Sequence, residues 1–164
     1  MALTKLNFSG QPTLPSASMP TGTVLQSKST GDVGDLGQVN TGNTTFTDIS
    51  GVDLVITPIK SNSLFLIWHQ LAFDTGGAAQ AFIFRLTYNH SGISQSVIDD
   101  RYDSQGYEVF SANARFGSFG QQILNLAPAT TNEITFRQQF RASGSYTVYV
   151  NRGLCKIMVQ EIAQ

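Results

Sequence analysis

One cysteine in 164 residues, Cys155, removes any internal disulfide from the ways this chain can hold itself together. Stability has to come from packing, or from contacts with other chains. Charge is scarce as well: Asp, Glu, Lys and Arg make up 13% of the residues and balance to a formal −1, about half the roughly 25% usual in soluble domains. A surface without a basic excess does not steer polyanions or acidic lipid headgroups, so neither nucleic acid nor a membrane is expected as a partner. No apolar run reaches the roughly 18 residues of a spanning helix. Lys5 is followed by no apolar core segment, so the N-terminus does not read as a secretion signal.

Helical signals are equally thin, since no long window repeats its apolar residues every three to four positions between caps. What the chain has instead is alternation. "ITFRQQFRA" (134–142) sends Ile134, Phe136, Phe140 and Ala142 to one face and Thr135, Arg137, Gln139 and Arg141 to the other, with Gln138 breaking the apolar side. "AFIFRLTYN" (81–89) sets Phe82, Phe84, Leu86 and Tyr88 against Arg85, Thr87 and Asn89. "SLFLIWHQLAF" (63–73) is apolar on both faces, as a strand covered by layers on two sides would be. "LCKIMVQEIA" (154–163) is too rich in Ile and Val to prefer a helix, and "SGSYTVYVNRGLCKIMV" reads as a hairpin turning at Asn151-Arg152-Gly153.

Short strands separated by turn residues predict an all-β fold, a jelly-roll-like antiparallel sandwich of about eight strands over residues 23–164. Residues 1–22 stand apart. Pro12, Pro15 and Pro20 forbid a helix or a central strand there, while Leu3, Leu6, Phe8 and Leu14 give an extended arm apolar anchors for contact with a neighbouring subunit or shell.

The stretch "TFTDISGVDLVITP" (45–58) fits this framework. Asp48 or Ser50 can bond nearby backbone N–H groups, Gly51 can adopt a conformation other residues avoid, and Pro58 ends a strand. Taken in order, "MALTKLN", "MPTGTVLQ", "TTFTDISGVDLVITPIKSNSLFLI" and the closing "IMVQEIA" resemble small virion structural proteins of tailed bacteriophages, many from phages of cyanobacteria and other aquatic bacteria. Phe46, Thr47, Asp48, Ile56, Thr57, Pro58, Ser61, Ser63, Glu161 and Ile162 carry the resemblance, whereas residues 74–133 match nothing in it. It implies a β-sandwich that assembles, usually as a homotrimer, into a decoration or fibre-like part of the virion together with other virion proteins. It brings no catalytic residues and no cofactor.

Several residues invite a chemical reading. Asp74-Thr75-Gly76 resembles the catalytic triplet of retroviral-type aspartic proteases. The second element those enzymes need, two apolar residues and a glycine about fifty positions on, is missing from "FGQQILNLAPA", so "DTGG" is expected to be a hairpin connection. Asp99, Asp100, Asp103 and Glu108 in "DDRYDSQGYE" could hold a hard cation through oxygen, but their spacing is not that of an EF-hand and Arg101 supplies a counter-charge. His69 is the remaining metal candidate, as one ligand per chain on a trimer axis; a core histidine is the plainer expectation. No metal is therefore assigned, and the chain is expected not to be an enzyme. The alternative function is a tail-fibre module reading host surface glycans, with Tyr102, Tyr107 and Phe110 stacking on sugar rings.

Overall fold

The computed structural model describes residues 19–30, 39–41, 45–74, 82–98, 117–119, 123–142, 148–150 and 156–164. Among them no helix occurs. The strands are β1 (Val24–Ser29), β2 (Val39–Thr41), β3 (Thr47–Asp48), β4 (Leu54–Ile56), β5 (Leu64–Asp74), β6 (Phe82–His90), β7 (Ile93–Val97), β8 (Gly117–Phe119), β9 (Ile123–Leu126), β10 (Ile134–Ala142), β11 (Val148–Val150) and β12 (Lys156–Ile162).

They form two antiparallel sheets. One is built on β5, paired along both edges: Trp68 sits between Met158 of β12 and Ile123 of β9, and Phe73 between Val150 of β11 and Gly117 of β8. Beyond these, β1 pairs with β12 and β2 with β11. The other sheet is built on β10, which pairs with all of β6 and, elsewhere, with β3 and β4; β7 pairs with β6.

The core lies between the sheets because each strand sends alternate residues inward. Phe65 and Ile67 of β5 and Ile157 and Val159 of β12 meet Leu54 and Ile56 of β4, Leu86 of β6, and Ile134 and Phe136 of β10. Phe65 and Phe136 touch across the gap, their ring centroids 6.4 Å apart. The predicted sandwich is thus what forms. Among the described residues the roughly eight expected strands become twelve segments. Between β3 and β4, Ile49 and Val52 dive into the core at 0% exposure, and the Ile49 N–H bonds the Gln138 carbonyl at 2.9 Å. Gly51 sits in that break at φ +83°, the left-handed region a side chain disfavours.

Two local expectations are corrected. β11 and β12 do not form a hairpin with each other; each pairs with β5, since the long apolar strand offers both a buried partner. Nor does the "DTGG" segment join two paired strands: β5 ends in the first sheet and β6 begins in the second.

Candidate functional site

Residues 157, 159 and 161 of β12 all point inward, so Glu161 places a carboxylate where its neighbours are Ile and Val; the residue is 0% exposed. A buried carboxylate is tolerated only when its oxygens are fully engaged. Here the loop after Pro58 engages them. Ile59 N–H donates to both oxygens at 2.8 and 3.0 Å, Lys60 N–H at 3.1 Å, and the Ser63 hydroxyl at 2.6 Å. The fourth donor is the Gln26 amide of β1, at 2.6 Å, which also reaches the Thr57 carbonyl at 2.8 Å.

Two residues along β1, Lys28 donates to the Val55 carbonyl at 3.0 Å. β1 belongs to the first sheet and β4 to the second, so these side chains tie the two sheets together through the carbonyls of Val55 in β4 and Thr57 just after it. Among the described residues the exposed large apolar side chains are Val24 of β1, Val55 of β4 and Ile59 of the loop after it, 49%, 39% and 44% exposed.

The outer face of the second sheet holds a different cluster. Arg137 pairs with Asp53 at 2.9 Å and with Asp48 at 3.8 Å. Gln139 donates to Asp48 and accepts from Arg85 at 2.7 Å. The Arg85 and Arg141 guanidinium groups lie 3.9 and 5.0 Å from the centre of the Phe46 ring, a cation–π arrangement that fixes β3 to β10 and β6. Gln139, expected to face water, is only 5% exposed because these neighbours cover it.

Inside the sandwich, Gln138 proves to be a bridge: its amide donates from β10 to the Gln70 carbonyl of β5 at 2.9 Å and lies 3.5 Å from the Lys156 carbonyl of β12. His69 is 2% exposed on the core side of β5, its ring edge-on to Phe84 at 5.8 Å.

The sequence-derived candidates divide clearly. Phe46, Asp48, Thr57, Ser63 and Glu161 are brought into the two clusters above. Among the described residues no group of three or more His, Cys, Asp or Glu could hold a metal ion. The arm residues Leu3, Leu6, Phe8 and Leu14, the acidic set Asp99, Asp100, Asp103 and Glu108, and the aromatics Tyr102, Tyr107 and Phe110 lie outside the described residues, as does Cys155. Sequence reading missed Gln26 and Lys28; a long polar side chain at every second position of an edge strand was the available sign.

No family model matches the chain, and no curated protein matches it. One similar solved structure is described as "Structure of infectious bursal disease virus Gx strain"; it shares 14% identity at a TM-score of 0.40, with 86% of this chain and 38% of that one covered. The chain thus spans well under two thirds of that protein's length.

Proposed function

We propose that the chain is a non-enzymatic structural component of a virus particle, a surface decoration or fibre-like homotrimer of the tailed-bacteriophage kind that acts by assembling with itself and with other virion proteins. One observation carries this reading. The residues that resemble such proteins converge on strand joints: Thr57, Pro58 and Ser63 gather with Glu161 at one edge, and Phe46 and Asp48 fasten β3 to β10. The resemblance is therefore one of framework, and a framework whose polar side chains lock strands together suits a protein that works as a surface. The test is an antibody raised against the purified chain, applied to intact particles and imaged by electron microscopy. Regularly spaced label on the particle is expected. Particles that contain no label while the chain is abundant in the same infected cells would overturn the reading.

A further inference from the structure

We draw no further inference here: the strongest candidate, the patch of Arg85 and Arg141 around the Phe46 ring on the outer face of the second sheet, belongs to the cluster already described, and nothing in the structure shows what covers it.

Discussion

Ser63 donates its hydroxyl proton to the buried Glu161 carboxylate at 2.6 Å, tying the start of β5 to the end of β12. The carboxylate takes four donors from two other parts of the chain, and no single contact explains its burial. Replacing it by Glu161→Gln sets an amide N–H₂ against donors that need acceptors. A buried polar group left unpaired costs about 1–3 kcal/mol, so the variant should lose about 2–4 kcal/mol in urea unfolding. Ser63→Ala should lose less, about 1–2 kcal/mol. The double variant should cost less than the sum, because both changes break the same bond.

Across the sandwich, Phe136→Ala should be among the most damaging changes. The ring is 0% exposed and packs against Phe65 from the opposite sheet. Truncating a buried phenylalanine costs about 3–5 kcal/mol. By contrast, Arg137→Ala removes ion pairs whose side chains are roughly a third to a half exposed. Such pairs contribute about 0–1 kcal/mol and weaken with salt. Denaturation midpoints at low and high salt check both.

Backbone conformation gives a pair of predictions with opposite signs. Gly51, at φ +83°, should lose about 1 kcal/mol on conversion to alanine, whereas exposed Ala129, at φ +54°, should gain a few tenths to about 1 kcal/mol on conversion to glycine. Thermal unfolding of the two variants reads the signs directly.

How far the amino-acid pattern carried the fold can be judged at these same positions. Alternation placed Ile134, Phe136 and Phe140 inside correctly, and it marked Gly51 as a special turn residue. Such features are local, set by a period of two and by one residue's φ. Pairing is not local: β11 and β12 looked like hairpin partners until the long apolar β5 took both. Gln138 looked like a flaw in an apolar face because its partner carbonyls, at Gln70 and Lys156, come from the other sheet. Glu161 was visible as part of a motif, but its role was not, since its partners lie about a hundred positions away.

If the chain works by assembly, a purified sample should give no reproducible signal across an array of bacterial polysaccharides. A signal abolished by Tyr107→Ala or Phe110→Ala would move the protein to the alternative, a receptor-reading module at a fibre tip.

Self-association is where the account is most exposed. Native mass spectrometry of the untagged chain, across a concentration series and at ordinary ionic strength, is expected to show a species of three times the chain mass that persists on dilution. A single monomeric species up to the highest concentration reached would contradict it.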